Sequence, residues 1–316
     1  MNKAVETVEA AGHTDQKEVA QQLFTAWFGI QFDVNTNSVK PESQTAWTVV
    51  TGHIQRVQNL ISNGGTFPSF VSPANLFCGE FGEVEPWNNF MMDTNGNFLD
   101  PVVSIEQIYG DWAAQIPESL VPYYVPSIEK YYLLSPTVFS ASQMCTTLDG
   151  MNSYGSPYAL GYFRNRDGYD VPVERDQIPD FILICPGVLT STDGNVLLSD
   201  IGLLTLSTDI SARTQLSAVK PKSTVMLHEI LHMVTRWDST GTAGVIADGQ
   251  IKIVDHSYHM LDCLIYANQQ LSQAYLNTEN YVHFALAWWY YNSRTDWQGT
   301  TPATFYAGYL QTWTRE

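Results

Sequence analysis

An α+β fold, with a small sheet, a buried apolar helix and helices at the C-terminus, is what three features of this 316-residue chain predict. Amphipathic stretches open it. A short apolar run, Phe181-Ile182-Leu183-Ile184-Cys185, stopped by Pro186-Gly187, has the make-up of a buried strand. Val225 to Val234 then carries His228-Glu229-Ile230-Leu231-His232 through an apolar setting that no charge other than Glu229, and no Gly or Pro, interrupts before Arg236. The length allows one large core. The chain is therefore read as a single unit over 1–316. Residues 1–176 form a helical and then Pro/Gly/aromatic-rich N-terminal region, and 177–316 the metal-site region.

In order along the chain, Val19, Leu23 and Trp27 lie at helical spacing and predict a helix over 16–28. Val49, Ile54, Val57, Leu60 and Ile61 predict a second over 43–62, closed by Asn63-Gly64-Gly65. From 64 to 176 the text turns rich in Pro, Gly, Asn and aromatics, which predicts irregular structure with short strands, either an insertion or a substrate-facing lobe. Val196 to Leu206 reads as a further strand or a short helix. Pro221 and Ser223-Thr224 supply a helix start with a capping hydroxyl ahead of the His-Glu-His segment. Thr240 to Lys252 is a loop, and two helices are expected at 257–272 and 278–292. No repeat or low-complexity tract is visible.

Composition narrows the partners. A net charge of −17, from 15 Lys+Arg against 32 Asp+Glu, disfavours nucleic acid and anionic membrane surfaces and favours basic substrates. No apolar run approaches the roughly 18–20 residues that span a bilayer. The first twenty residues, with Glu6, Glu9, Asp15 and Glu18, lack the apolar core of a signal peptide, so the chain is either cytoplasmic or has lost a leader. Cys78, Cys145, Cys185 and Cys263 are even in number and without CxxC spacing, which favours disulfides over a cysteine-metal site and tilts the expectation toward a secreted protein. The oligomeric state is not legible.

The chemistry is concentrated in the five residues from His228. On a helix, positions i and i+4 share a face, so His228 and His232 can direct two imidazole nitrogens at one ion, and Glu229 is placed as the base for a water that the metal activates. The bland reading is an amphipathic helix whose histidines are satisfied by hydrogen bonds. A catalytic zinc site also needs a third protein ligand. Acidic candidates downstream are Asp238, Asp248, Asp255, Asp262 and Glu279, beside His256 and His259. Asp255 stands out because Tyr258 follows three residues later, an acid and a phenol at the start of a helix, where the phenol can stabilise an oxyanion.

These residues resemble the deuterolysin-like aspzincin metallopeptidases, a group that includes the fungal peptidyl-Lys metalloendopeptidases. The resemblance is carried by HEILH, by Asp255-His256-Ser257-Tyr258-His259 where the family has an Asp-x-x-Tyr-Gly pattern, and by Asn277-Thr278-Glu279-Asn280-Tyr281 where it has an Asn-Ala-Asp-Asn-Tyr type stretch. Ile184-Cys185-Pro186-Gly187 and Thr25-Ala26-Trp27-Phe28-Gly29 are similar to further family segments, and the clear resemblance spans about 181–290. It implies a zincin-type fold and a zinc endopeptidase acting on proteins or peptides. One Zn²⁺ would be held by His228, His232 and Asp255, with Glu229 as base and Tyr258 on the oxyanion. It also implies a Cys145–Cys185 bridge, which would leave Cys78 to Cys263.

Three departures bear on the site. The segment between His232 and Asp255 is longer than in the peptidyl-Lys enzymes, His259 stands where Gly is usual, and Glu279 replaces an aspartate. If Glu279 keeps the family role it lines a pocket for a basic residue after the scissile bond. Two alternatives place it as the third ligand, with Asp255 then orienting a histidine, or as an acid at a helix N-terminus. Alternatives to a peptidase are a catalytically silent binding scaffold and a non-peptidase zinc hydrolase. Retention of Glu229 counts against the scaffold, which needs no base.

Overall fold

The computed structural model describes residues 1–66, 73–78, 85–86, 98, 100–104, 107, 121–125, 130–134, 153–155, 160–164, 170–172, 181–184, 214–221, 223–235, 253–293 and 303–312. It divides into two compact units, Met1–Ser62 with Thr192–Glu316, and Asn63–Ser191. The N-terminal helices thus share a unit with His228, His232 and Asp255.

That first unit is built from α1 (Asn2–Glu9), α2 (Asp15–Phe28), α3 (Gln44–Ser62), α4 (Ser223–Val234), α5 (Met260–Gln269), α6 (Leu271–Leu276) and α7 (Thr278–Ser293). Local chemistry sets the boundaries. Thr14 caps α2 by accepting a hydrogen bond from the Lys17 amide at 3.1 Å, with Asp15 and Glu18 in the first turn complementing the helix dipole. Gly29, at φ 67°, ends it in the left-handed region, and a Cβ at this position would run into the Ala267 carbonyl. The helix predicted over 257–272 is broken at Gln270 into α5 and α6, whereas the one predicted over 278–292 is α7 almost residue for residue.

α7 is the centre of this unit. Every residue from Thr278 to Phe284 is buried, as are Leu286, Ala287, Trp288, Tyr290 and Tyr291, so the helix is covered on all sides, the mark of a core element. It packs on α2, α4 and α5, and α4 in turn packs on α3 and α7. Aromatic side chains fill the joint between α2 and α7. Phe24 meets Phe284 with ring centroids 4.4 Å apart, Phe28 meets Tyr281 at 4.8 Å, and Trp47 of α3 closes on Phe24 at 5.0 Å. Each such pair contributes about 0.5–1.5 kcal/mol beyond the area it buries. Phe284→Ala would remove the centre of the cluster at a cost of about 3–5 kcal/mol.

The α+β expectation, with its zincin-type sheet beside the HEILH helix, is corrected by this architecture. The unit that holds the HEILH segment is built mainly of helices, and the elements packed on α4 are helices. The physical reason is the burial of α7: a helix covered on every face supplies the layer beside α4 where a sheet is expected from the sequence. In this unit the described strands are the two-residue partners β1 (Ala303–Thr304) and β2 (Gln311–Thr312). The 181–185 run, on which the sheet was predicted, falls in the second unit. There the backbone of Phe181–Ile184 pairs with Asn75–Cys78 in parallel and with Ser153–Gly155 antiparallel. The 196–206 and 240–252 segments lie outside the described residues. Among the described residues no helix is long and apolar enough to cross a membrane.

Candidate metal centre

α4 begins where Pro221 leaves its carbonyl to Thr224, which bonds it through both the amide at 3.0 Å and Oγ1 at 2.6 Å. Its far end is also satisfied. Thr235 Oγ1 donates to Leu231 O at 2.7 Å, and Arg56, reaching over from α3, donates through Nη1 to Val234 O at 2.8 Å. A cation at a helix C-terminus is favourable on dipole grounds as well. The twelve-residue helix is therefore held at both ends, with Ile230, Leu231, Met233 and Val234 in the core.

His228 and His232 share a face of this helix, and Asp255 comes to meet them. The Nε2 atoms of the two histidines are 3.1 Å apart. Asp255 Oδ1 lies 3.0 Å from His232 Nε2 and 3.3 Å from His228 Nε2. Ligand atoms at roughly 2.0–2.1 Å from a tetrahedral ion lie about 3.3–3.4 Å from one another. The observed triangle is close to that size and slightly tighter. Among the described residues these three form the one group of His, Cys, Asp or Glu whose donor atoms lie close enough together to share an ion. Glu229, next along the helix, is buried, and its negative charge acts on both His228 and Tyr258.

The loop that brings Asp255 is pinned from beneath by Asn277. This side chain is fully buried, and its Oδ1 accepts from the amides of His256 at 2.9 Å and Ser257 at 3.1 Å, while Nδ2 donates to Ser257 O at 3.0 Å. The adjacent backbone is tied as well, Val254 donating to Leu276 O at 2.8 Å and accepting from the Thr278 amide at 3.3 Å. Tyr258 projects from this loop, 62% exposed, with its hydroxyl donating to Asp255 Oδ2 at 2.8 Å and its ring stacked on His228 at 5.6 Å between centroids. Asp262 serves the same loop, accepting from Ser257 Oγ at 2.7 Å.

Glu279 approaches His228 from the opposite side. Its Oε1 accepts from His228 Nδ1 at 3.0 Å and its Oε2 from Lys220 Nζ at 2.7 Å, with His283 Nε2 a further 3.6 Å away. Thr278 Oγ1 lies 3.3 Å from His232 Nε2. Asn280 reaches back to the Trp27 carbonyl at 2.5 Å and the Cys263 carbonyl at 3.0 Å, so it ties α7 to both α2 and α5.

Crowded carboxylates and imidazoles shape the electrostatics. Burial pulls the His228 pKa down, but hydrogen bonds to Asp255 and Glu279 and the charges of Asp255 and Glu229 outweigh it and raise it to about 9. For Asp255, burial is outweighed by both imidazoles, which hold its carboxyl well below the usual range. Glu279 behaves alike: burial opposes the ionised form, and His228 and Lys220 bring its pKa down to about 2. The Tyr258 phenol is pushed up by burial and by the neighbouring Asp255 charge. Three lone-pair donors with this appetite for positive charge suit a divalent cation, which would displace the proton on His228.

Of the residues singled out in the sequence, His228, Glu229, His232, Asp255, Tyr258 and Glu279 all gather here. His256 and His259 are exposed and outside the triangle, and Asp238 and Asp248 fall outside the described residues. The pairing of Cys78 with Cys263 is corrected: Cys263 is a free thiol buried in α5, its sulfur accepting from Asn277 Nδ2 at 3.4 Å. Burial pushes that thiol up to about 12. Cys145 and Cys185 lie outside the described residues. Sequence reasoning did not find Lys220, Asn277 or Thr278 as parts of the site. The one signal available was the polar run Asn277-Thr278-Glu279-Asn280 ahead of an apolar helix, since polar groups that bury must find partners. No family model matches this chain, and no curated protein or solved structure is significantly similar to it.

Proposed function

We propose that this chain is a zinc-dependent endopeptidase of the aspzincin kind, with His228, His232 and Asp255 as the protein ligands. The supporting observation is the triangle of His228 Nε2, His232 Nε2 and Asp255 Oδ1, with sides of 3.0–3.3 Å. Bound there, zinc would acidify a water and polarise a carbonyl. The chain's own residues supply the rest. Glu229 accepts the proton from the attacking water and delivers it to the leaving amine. Tyr258, exposed at the mouth of the site, donates to the carbonyl oxygen as it gains charge, exchanging its hydrogen bond with Asp255 for one with substrate. The partners on this reading are unfolded protein or peptide chains, and the setting is extracellular.

The test measures zinc per chain and chelator-sensitive cleavage of an unfolded protein, beside Glu229→Gln. One zinc per chain and cleavage lost in the variant are expected. Zinc without cleavage in either protein would favour a binding scaffold, and no zinc under metal-replete conditions would end the reading.

A further inference from the structure

Glu279 is 2% exposed, and both of its oxygens are engaged, one by His228 Nδ1 at 3.0 Å and the other by Lys220 Nζ at 2.7 Å. Lys220 precedes α4, while Glu279 stands in the first turn of α7, 59 residues later. We propose that Lys220 and Glu279 form a positioning relay behind the metal centre, in which Glu279 fixes the ring and tautomer of His228 and Lys220 fixes Glu279. The inference rests on the reading of the site as a zinc centre.

A neutral imidazole has one N–H. When that hydrogen is on Nδ1 and donated to Glu279, Nε2 carries the lone pair, and Nε2 is the atom that faces His232 and Asp255. Lys220 has a separate task. A carboxylate this deeply buried is costly without a compensating charge. The ammonium supplies that charge at 2.7 Å, so the relay orients the ring without adding net negative charge to a site that already holds Asp255. His283 closes the space from the next turn, its ring stacked on Trp27 at 5.1 Å. One consequence concerns substrate. At 2% exposure, with each oxygen already bonded inside the protein, Glu279 is not presented to a basic side chain of substrate, so a preference for a basic residue after the scissile bond would need another acid.

Zinc affinity, read by competition with a chromophoric chelator, tests the relay in the full chain. Glu279→Gln is expected to weaken zinc binding by about 10–100-fold while leaving one zinc at saturation. Lys220→Met is expected to weaken it by about 10-fold, at the low end of that range. Lys220→Arg, which keeps the ion pair, should restore the parent value. The decisive measurement is the double variant. Because Lys220 acts through Glu279, adding Lys220→Met to Glu279→Gln should change affinity by no more than about 2-fold. The cobalt-substituted protein adds a spectroscopic readout, since a tilted His228 shifts the visible bands where a distant packing defect does not. Should Lys220→Met not fold, Glu279→Asp takes its place: it keeps the charge but withdraws the carboxylate from Nδ1, and the same weakening is expected. Parent protein that binds zinc beside variants that bind it equally well overturns the relay and leaves the zinc reading intact. Additive losses in the double variant overturn the coupling through Glu279. A parent protein without zinc affinity removes both.

Discussion

Two short polar segments meet at His228 and His232, and they are built on opposite terms. Residues 255–258 lie at the surface: Asp255 and Tyr258 are exposed, and the groups they carry are those that chemistry would use. Residues 277–280 lie in the interior, with Asn277, Thr278, Glu279 and Asn280 at 0–2% exposure and each side chain engaged in holding another element. On the proposed reading, the contrast separates reacting groups from holding groups. The exposed segment is accurate because the buried one is rigid, and its rigidity comes from polar side chains whose hydrogen bonds cannot be surrendered to water.

If that division is right, the largest effects on turnover should follow changes on the exposed face and the base beside it. Glu229→Gln is expected to keep zinc and to lower kcat by at least about 10²–10⁴-fold, because the amide keeps its shape but cannot accept a proton. Unchanged kcat would end the peptidase mechanism. Next comes Tyr258→Phe, with zinc retained and kcat reduced by about 10²–10³, the usual loss for one donor to an oxyanion. A variant with normal kcat would reduce the phenol to a partner of Asp255.

On the buried face the effect should fall on stability first. Asn277→Ala removes the acceptor of the His256 and Ser257 amides, two part-buried bonds worth about 0.5–1.5 kcal/mol each. A urea titration should show it, with a matching loss of zinc affinity as Asp255 drifts. A stable variant with weakened zinc binding would mean that Asn277 aims the loop without bearing on the fold.

The smallest effect is the pH dependence of the zinc-free protein. His228 has a raised folded pKa, so its contribution is complete below its ordinary value near 6.5 and fades as pH rises through about 9. Glu279 has a lowered one, so its contribution is complete above about 4.5 and is lost as pH falls toward about 2. Without zinc, these two groups together are most stabilising from about pH 4.5 to 6.5. Because zinc competes with the proton on His228, its affinity should climb with pH up to about 9. Urea midpoints at several pH values, with and without chelator, would reveal both trends, and a zinc affinity that does not vary with pH would contradict the second.

The exposed segment was far more legible in the sequence than the buried one. HEILH has a fixed spacing that chemistry imposes, and an acid with a phenol three residues later is a local pattern, so both could be read without any knowledge of packing. Lys220 and Asn277 could not, because their partners are 59 and 20–21 residues distant and only tertiary structure says which polar residues bury. Glu279 was visible as a candidate, with its role open among ligand, pocket acid and helix-end acid. The 278–292 helix is legible from its length and composition, but its burial on every side is a property of tertiary packing. A strand at 181–184 indicates a sheet somewhere in the chain and says nothing about which unit will hold it.

The bond from Asn280 to the Trp27 carbonyl joins residues 253 positions apart. During synthesis, the second helix leaves the ribosome long before the helix that completes its core, and the entropy of closing so large a loop delays the contact further. His228 likewise emerges before the glutamate that orients it. The candidate centre is therefore assembled only after residues 279 and 280 have emerged, and a growing or truncated chain that lacks them should carry the HEILH helix without a formed zinc site. A chain ending at residue 270 that bound zinc as tightly as the parent would show that the early helices can organise the centre by themselves.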